Sequence, residues 1–441
     1  MKNKKTWLIA GAIIFAALLL RIFLASNALE FPGRFIRPDT PTYIEPAKAL
    51  LQGEFSGTGR APGYTLLAAA AIILAPEKYP FLLAIAGAVL STLTILPVYG
   101  GTKELFNRPA ALAAAALFGF NLTAFANAPM LLSDTLFGLF AACQFYFFAR
   151  FFRRKKDLDF LLCIFFAASG TLIRPINLPW IAPALVLLWL LKGVPMRKKI
   201  VNSCAAIFIY AALLLPWMAR NAASGAPWCI DTNTGAMLHQ NGAMILAEVN
   251  KSSYEEEKEK IRRKYEVFFA DQAKFPDEKS REEWKIKELK KIIAAHPWTA
   301  LKHHFNWHRI LLPDAPTLFE ITGLTKSDRG TMNVLTQKGI IAAIDHYFEG
   351  RWYLPLTLVP LLAVTGITYL GCCLFLLYAL FRFRRRWYLW LLFLAFAEFY
   401  LFLPGAICAP RYQIPALPLF CAFAGVFLIL LRKKCKKQHK A

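Results

Sequence analysis

The sequence predicts an all-α polytopic membrane protein with about ten transmembrane helices, two short interfacial helices in the first outer loop and a small, mostly helical extracytoplasmic domain. Three observations support this class. The 441-residue chain is 57% hydrophobic, which is too apolar for a soluble globule. Its apolar residues form long runs that short basic clusters separate. A single long polar stretch, 219–352, interrupts this pattern.

The apolar runs give the expected spans. The first, Trp7 to about Ala25, follows three lysines and is too long for the core of a signal peptide, so we expect a retained helix. The others lie near 81–100, 109–126, 130–150, 158–173, 178–192, 200–218, 353–381, 387–404 and 412–431.

The basic clusters predict the orientation. If all ten runs span the membrane, every short cluster of lysine and arginine falls on the side of the N-terminus. Both termini are therefore expected in the cytoplasm, and the net charge of +24 reflects topology rather than a nucleic-acid surface. The outer connections would be 27–80, 127–129, 174–177, 219–352 and 405–411.

The first outer loop holds two short helical patterns. The run from Tyr64 to Ala75 is too short to cross a bilayer core of roughly 30 Å, so we predict a helix in the outer leaflet. In residues 42–51, apolar side chains recur at helical spacing, and the turn Gly57-Thr58-Gly59 would join the two helices.

These assignments divide the chain into four parts: a transmembrane core (1–220, with the outer loop 27–80), an extracytoplasmic helical domain (221–351), C-terminal transmembrane helices (352–432) and a basic cytoplasmic tail (433–441). The charged stretch from Lys251 to Lys291 is typical of solvated helix faces.

Two further questions stay open in the outer segments. One is whether Cys229 and Cys408 pair, since both fall in outer loops. The other is whether the histidines from His296 to His308 bind a metal. His304 and His308 have the spacing of many metal pairs, but no acid nearby completes a set of ligands.

Two acids are candidates for chemistry. Asp39, between Pro38 and Pro41, is either a cap for the following helix or a partly desolvated carboxylate whose raised proton affinity suits a general base. Asp134 is either complementary to the start of the fourth span or, if that span begins at Asn127, buried in it and functional.

Four arginines recur at the outer ends of spans, where the positive-inside rule disfavours them. Each could reach to the lipid headgroups, but together they could bind a lipid phosphate bidentately. They are Arg60, Arg174, Arg220 and Arg411.

Six motifs in this order resemble those of the GT-C membrane glycosyltransferases, in particular the dolichyl-phosphate-mannose protein mannosyltransferase and ArnT-like group with its RgtA/B/C/D-like bacterial members. The resemblance covers residues 1–220 and 405–431 and is loose over 221–351. The motifs are RPDTPTY (37–43), RAPGY (60–64), LLSDTLF (131–137), LIRP (172–175), PWMARN (216–221) and RYQIPALP (411–418).

This resemblance implies sugar transfer from a polyprenyl-phosphate-linked donor to an acceptor hydroxyl outside the cytoplasm, with no cofactor or divalent metal required.

 The resemblance aligns Asp39 with the family's catalytic acid and Asp134 with its second acid. Arg60 stands where some ArnT-like members have an acidic-basic pair, so this chain keeps the cation and lacks the acid. Tyr43, Tyr64 and Tyr412 lie in the same motifs and are expected to line the substrate site.

The partners implied are the polyprenyl-phosphate sugar, membrane lipids and an acceptor that is a glycan, a lipid or a protein. The expected location is a bacterial inner membrane with the site facing the periplasm or the exterior. In the expected mechanism, Asp39 takes the proton of the acceptor hydroxyl with inversion at the anomeric carbon, and the arginines stabilise the departing phosphate.

Two other functions fit parts of the sequence. A flippase for a lipid-linked sugar would need polar groups in the middle of its spans, whereas charged residues here sit mainly at span ends. A noncatalytic scaffold would use the outer domain to bind a partner. Purified protein separates the three, because only an enzyme transfers sugar in detergent and a flippase needs a sealed bilayer.

Overall fold

The computed structural model describes residues 2–54, 60–232, 234–305, 313–325, 331–382, 398–402 and 409–438. Every regular element in these ranges is a helix, which confirms the all-α prediction for this part of the chain. The turn predicted at 57–59 lies outside the described residues. Cys408 and His308 lie outside them too, so the disulfide and the histidine pair remain untested.

The N-terminal half consists of helices of very different length. They are α1 (Lys2–Ser26), α2 (Pro41–Leu51), α3 (Pro62–Leu74), α4 (Tyr79–Leu93), α5 (Ile95–Leu105), α6 (Arg108–Gly119), α7 (Leu122–Asn127), α8 (Asp134–Arg154), α9 (Asp157–Thr171), α10 (Ile181–Leu190) and α11 (Met196–Ala223).

The rest of the chain is also helical where it is described. Its elements are α12 (Thr234–Asn250), α13 (Tyr254–Phe269), α14 (Glu278–Ala295), α15 (Pro297–His304), α16 (Ala315–Ile321), α17 (Thr331–Phe348), α18 (Tyr353–Thr357), α19 (Val359–Arg382), a π-helical turn (Glu398–Phe402) and α20 (Leu417–Gln438). Because α20 continues to Gln438, most of the predicted basic tail is helical.

Five stretches of the described chain are helical and apolar over a length that can cross a membrane: Thr6–Leu29, Tyr79–Leu105, Asp134–Arg154, Met196–Ala223 and Val359–Arg382. On the first of them, the aromatic side chains of Trp7, Phe15 and Phe23 are 62–74% exposed. A long helix that exposes such large apolar groups is covered by lipid rather than water. The chain is an integral membrane protein.

Five of the ten predicted spans, 109–126 and 387–404 among them, are not matched by one of these long apolar helices in the described residues. The run 109–126 is divided into α6 and α7: α6 ends at Gly119, and Asn121 caps α7 by accepting a hydrogen bond from the backbone N–H of Ala124 (3.1 Å). The run 387–404 lies mostly outside the described residues. The count of ten spans therefore stays a prediction.

Small residues allow the central helices to pack closely. Helix α20 lies against α6 and α19. A Cβ atom on Gly425 of α20 would lie 2.6 Å from the carbonyl oxygen of Ala110 in α6, so only glycine fits there. Close contact through small residues is the usual way in which membrane helices associate.

A separate apolar core holds the first outer loop. The two short helices predicted there are present as α2 and α3, and Ile44 and Ala47 of α2 are buried as their spacing predicts. This core also includes the outer end of α1, parts of α4 and α7, and Phe319 of α16. A segment that follows helices α12 to α15 in the chain thus helps to fix the loop that carries Asp39.

Candidate active site

Asp39 lies in a turn that ends at the start of α2, with Pro38 and Pro41 restricting the backbone on either side. The hydroxyl of Thr40 accepts a hydrogen bond from the backbone N–H of Arg37 (2.9 Å) and donates one to the carbonyl of Leu131 (3.0 Å). Thr40, not Asp39, occupies the N-cap position of α2. The helix-cap interpretation of the Asp39 carboxylate is therefore wrong.

Two arginines bind the Asp39 carboxylate. Nη2 of Arg60 lies 3.1 Å from Oδ1, and Nη2 of Arg411 lies 2.6 Å from Oδ2. Arg411 belongs to a 3-10 turn (Pro410–Gln413) that precedes α20, so this contact joins residues 372 positions apart in sequence.

Arg60 is positioned by the start of α3. The backbone N–H of Gly63 donates to the carbonyl of Leu172 at the end of α9 (2.7 Å). A Cβ atom at position 63 would lie 2.9 Å from that oxygen, so the approach depends on glycine. Nε of Arg60 also donates to the hydroxyl of Thr42 (2.9 Å), which directs Nη2 towards Asp39.

Asp134 is a second acid beside Arg411. It is the first residue of α8, and its side chain is 5% exposed. Its Oδ1 forms an ion pair with Nη1 of Arg174, and its Oδ2 lies 3.8 Å from Nε of Arg411. Asp134 thus complements a helix N-terminus and is also ion-paired in a buried position.

Arg411 lies between the two carboxylates, with one nitrogen towards each. We call Asp39, Asp134, Arg60, Arg174 and Arg411 the Asp39 cluster. Three guanidinium groups and two carboxylates leave it one excess positive charge. The cluster is suited to binding an anion that shares the arginines with the two acids.

Three tyrosines surround the Asp39 cluster. The rings of Tyr43 and Tyr64 meet edge to face with their centroids 5.1 Å apart, and the Tyr43 hydroxyl is 2.9 Å from that of Ser133. The guanidinium of Arg60 lies 5.3 Å from the ring centroid of Tyr43. That of Arg174 lies 5.2 Å from the ring centroid of Tyr412. The guanidinium of Arg411 lies 5.7 Å from the same Tyr412 centroid, so an aromatic face lies beside each of the three arginines.

The protonation of Asp39 differs from the sequence-based expectation. Burial raises the pKa of Asp39, but the positive charges of Arg411 and Arg60 outweigh burial and hold that pKa below the usual 3.8 of an aspartate. The expectation of a raised proton affinity was wrong because it considered desolvation without the arginines. As placed here, the carboxylate is ionised at neutral pH and is a weaker base than desolvation alone would make it.

Arg220 is placed differently from the other three arginines. It lies in the last turn of α11, where its guanidinium is 4.9 Å from the ring centroid of Trp217 and donates to the side chain of Asn221 (3.0 Å). The structure brings Arg60, Arg174 and Arg411 together on the two acids and leaves Arg220 beside these neighbours. A role for Arg220 in binding substrate stays a prediction.

A cavity of about 20 Å³ adjoins the Asp39 cluster. Arg174 and Tyr412 line it together with Phe137 and Tyr400. This volume holds about one water molecule. Residues 55–59 and 403–408, which precede Arg60 and Arg411 in sequence, lie outside the described residues.

Sequence reasoning missed the contacts that tie α16 to the outer loop. Nη1 of Arg37 forms an ion pair with Oε2 of Glu320 (2.5 Å), and Nη2 of Arg37 donates to the hydroxyl of Thr317 (3.3 Å). Nearby, the buried side chain of Asp314 accepts a hydrogen bond from Asn127 of α7 (2.7 Å). No motif marks Glu320 or Asp314, and each lies far in sequence from its partner.

Sequence analysis also missed Arg21, which is fully buried in α1. Nε of Arg21 donates to the hydroxyl of Ser91 (3.0 Å), and Nη1 donates to the carbonyl of Gly119 (2.7 Å). A charged residue inside an apolar run is a signal that sequence analysis can use, because such a residue needs partners within the membrane. Here the partners connect α1 to α4 and α6.

No group of three or more histidine, cysteine or acidic side chains has the arrangement of a metal site within the ranges that the structure covers. His304 instead packs edge to face on Phe305, and its ring centroid is 6.4 Å from that of Phe402. The question of a metal at His296–His308 remains open because His308 lies outside these ranges.

Comparison with known proteins gives one match in sequence. Residues 60–219 match the family model described as dolichyl-phosphate-mannose-protein mannosyltransferase. The matched stretch includes Arg60, Asp134 and Arg174, whereas Asp39 and Arg411 lie outside it. A search of curated protein sequences finds no match.

Two solved structures are similar in fold, both of the oligosaccharyltransferase of Archaeoglobus fulgidus. One is AglB in complex with an inhibitory peptide and a dolichol-phosphate, with a TM-score of 0.52 and 14% identity over 99% of this chain and 52% of that one. The other is the apo form, with a TM-score of 0.51 and 15% identity over 98% of this chain and 52% of that one. The chain thus spans about half the length of these relatives.

The fold is thus similar to that of a membrane oligosaccharyltransferase, and residues 60–219 are similar to a mannosyltransferase family of the GT-C type. Within that class, the sequence match is to the protein mannosyltransferase family, and the fold is similar to that of an archaeal oligosaccharyltransferase. The resemblance predicted from the six motifs is confirmed at this level.

Proposed function

We propose that the protein transfers a sugar from a polyprenyl-phosphate-linked donor to an acceptor hydroxyl at the Asp39 cluster, on the extracytoplasmic side and with inversion. One observation carries this proposal: an ionised carboxylate is held by Arg60 and Arg411, next to a second acid held by Arg174. The match of residues 60–219 to a family of lipid-linked mannosyltransferases supports the choice of donor.

The donor phosphate binds among the three arginines. Guanidinium groups bind phosphate oxygens through paired hydrogen bonds, and each of these arginines is already directed by a carboxylate or an aromatic ring. A phosphate that enters the cluster competes with Asp39 for Arg60 and Arg411. Because the arginines supply the positive charge, this mechanism needs no divalent ion to stabilise the leaving phosphate.

The same competition activates the base. When the phosphate takes up the charge of Arg411 and Arg60, the pKa of Asp39 rises, since burial then acts with less opposition. The carboxylate accepts the proton of the acceptor hydroxyl while the hydroxyl oxygen forms a bond to the anomeric carbon. The bond from that carbon to the phosphate oxygen breaks, and its electron pair leaves with the polyprenyl phosphate.

The direction of attack sets the stereochemistry. The phosphate lies on the arginine side of the anomeric carbon, so the acceptor approaches from the opposite face and the configuration inverts. General-base assistance of this kind contributes about 10²- to 10⁴-fold in rate. In this mechanism Asp134 is not a second base; it holds Arg174 and Arg411 in position for the phosphate.

The topology belongs to the same proposal. We place both termini in the cytoplasm and the Asp39 cluster at the periplasmic face of a bacterial inner membrane, with ten spans, because this arrangement puts the short basic clusters on one side. The AglB structure contains a dolichol-phosphate and a peptide, which supports a polyprenyl-phosphate donor and a separate acceptor here.

The test is transfer by the Asp39→Asn protein. Purified protein in detergent receives a radiolabelled polyprenyl-phosphate sugar, and membranes from a strain that lacks the gene supply the acceptor. We expect the rate to fall about 10²- to 10⁴-fold, because the amide cannot accept the proton. Glu45→Gln is the matched control, since Glu45 is exposed on α2 and pairs only with Lys48 among the described residues.

Wild-type turnover by folded Asp39→Asn protein would remove Asp39 from the role of base. Transfer by the unmodified protein in detergent would itself exclude a flippase or a scaffold without activity. Absence of transfer from every polyprenyl-phosphate sugar supplied would overturn the proposed function.

A further inference from the structure

Helices α12, α13 and α14 enclose a cavity of about 240 Å³ that shares no residue with the Asp39 cluster. Its lining divides into an apolar wall and a polar rim. The wall includes Leu246, Ile261, Leu289 and Ile292, and the aromatic rings of Tyr265 and Trp284. These two rings meet edge to face with their centroids 5.4 Å apart.

The rim of this cavity carries two ion pairs. Glu257 accepts a hydrogen bond from Lys260 (2.6 Å), and Glu288 accepts one from Lys264 (2.7 Å). Nζ of Lys264 also lies 5.5 Å from the ring centroid of Trp284. The rim therefore has no excess charge of either sign but offers both donors and acceptors.

A histidine provides a further polar group. Nε2 of His239 is buried at the cavity and has no hydrogen-bond partner among the described residues. Burial lowers the pKa of His239 below its usual 6.5, so the imidazole is uncharged at neutral pH. A buried polar atom without a partner is costly, and a ligand that supplies one removes that cost.

We propose that this cavity binds one pyranose ring of a glycan acceptor. A sugar ring has an apolar face of C–H groups that packs on Tyr265 and Trp284, and a periphery of hydroxyls that both donate and accept. Glu257 and Glu288 accept from such hydroxyls, and the lysines and His239 complete the polar contacts.

Size and charge favour a sugar over other ligands. The volume of 240 Å³ is below the roughly 300–1,000 Å³ of pockets for larger ligands, so it suits one ring and not a peptide. An anion is disfavoured because a carboxylate already neutralises each lysine at the rim. An uncharged polyol needs neither an excess of cations nor an excess of acids.

The inference rests on the proposed function only in assigning the bound ring to the acceptor. Binding itself is measured without donor or transfer. Saturation-transfer NMR on the full-length protein in detergent, with a panel of methyl hexopyranosides as probes, gives the affinity for each sugar. Inorganic phosphate and a short uncharged peptide serve as probes for the other two ligand classes.

Two variants locate the binding site. Glu288→Gln and His239→Ala each remove one hydrogen-bonding group at the rim, and each is expected to weaken binding of the preferred glycoside about tenfold. Glu259→Gln is the matched control, because Glu259 lies on α13 with two basic partners, Arg262 and Arg263, but does not line the cavity. Asp39→Asn is expected to bind the glycoside like the unmodified protein.

Loss of glycoside binding in both rim variants, with binding kept in Glu259→Gln and Asp39→Asn, supports the inference even if no transfer activity is found. Three results overturn it: no glycoside binds, binding is unaffected by the rim variants, or phosphate or the peptide binds in preference. Folding of each variant is checked by its thermal unfolding, and a misfolded variant is replaced by Leu246→Phe, which narrows the cavity from its apolar wall.

Discussion

Replacing Arg411 by glutamine tests the central electrostatic feature of the Asp39 cluster. The substitution keeps much of the side-chain length and an amide group that still donates hydrogen bonds, but it removes the positive charge between the two carboxylates. Asp39 then retains Arg60, and Asp134 retains Arg174. The cluster should persist without its bridge, so the effect on transfer reports the bridge itself.

The size of the effect follows from the contacts. Arg411 makes one charge-assisted hydrogen bond to Asp39 at 2.6 Å and a longer contact to Asp134 at 3.8 Å. A hydrogen bond to a charged group contributes about 1.5–3 kcal/mol. If the Arg411 guanidinium makes a hydrogen bond of this strength to the phosphate in the transition state, the loss of that bond lowers kcat/KM about 10- to 150-fold.

The pH dependence gives a second, independent readout. Arg411 contributes the largest of the charge effects that lower the pKa of Asp39, so its removal raises that pKa. Activity requires the ionised carboxylate in free enzyme, and the acid limb of the kcat/KM profile therefore moves to higher pH.

The assay measures transfer of radiolabelled sugar by Arg411→Gln protein across the acid and neutral range. Arg220→Gln is the control, because it makes the same change in the last turn of α11, beside Trp217 and Asn221. If Arg411→Gln has the same kcat/KM and the same acid limb as the unmodified protein, Arg411 does not act as the charged bridge between Asp39 and Asp134. An equally large loss in Arg220→Gln would show that any arginine on this face has the same effect.

Three other substitutions test how the site is held. Asp134→Asn removes the counter-charge of Arg174 from a buried position, and we expect thermal unfolding in detergent to report a loss of about 3 kcal/mol, partly restored by a second change of Arg174 to Met. Gly63→Ala places a Cβ 2.9 Å from a backbone oxygen, so we expect it to lower the free energy of unfolding by about 1–3 kcal/mol and to reduce transfer. The control Gly366→Ala lies in open space within α19 and should raise the free energy of unfolding by about 0.5–1 kcal/mol. Arg21→Met leaves the carbonyl of Gly119 without its donor, so we expect the free energy of unfolding to fall by about 1–3 kcal/mol. The folded fraction should keep its rate of transfer. A loss of rate without a loss of stability would contradict a purely structural role for Arg21.

The sequence was informative wherever one local rule decides the structure. Hydrophobic length distinguished the short helix α3 from a span, and helical spacing identified the buried face of α2. These features depend on residues a few positions apart. The break between α6 and α7 was missed because Asn121 sits within an apolar run, where length alone predicts one continuous helix.

The composition of the site was partly predictable, but its electrostatics were not. Four arginines were predicted to bind a phosphate together, and three of the four meet on the two acids, while the phosphate site itself stays a prediction. The lowered pKa of Asp39 depends on Arg411, which is 372 residues away and whose distance only the fold determines. Arg220 carries the same sequence signal, yet its helix places it beside Trp217.

The single surplus positive charge of the Asp39 cluster has a consequence for turnover. Under the proposed function, a polyprenyl-phosphate sugar enters with one negative charge on its phosphodiester and balances that surplus. Cleavage leaves a phosphomonoester with a charge of about −1.5 to −2 at neutral pH, which the three arginines hold more tightly than they held the donor. Under the proposed function, we therefore expect the departure of the spent lipid carrier to be slower than the formation of the glycosidic bond.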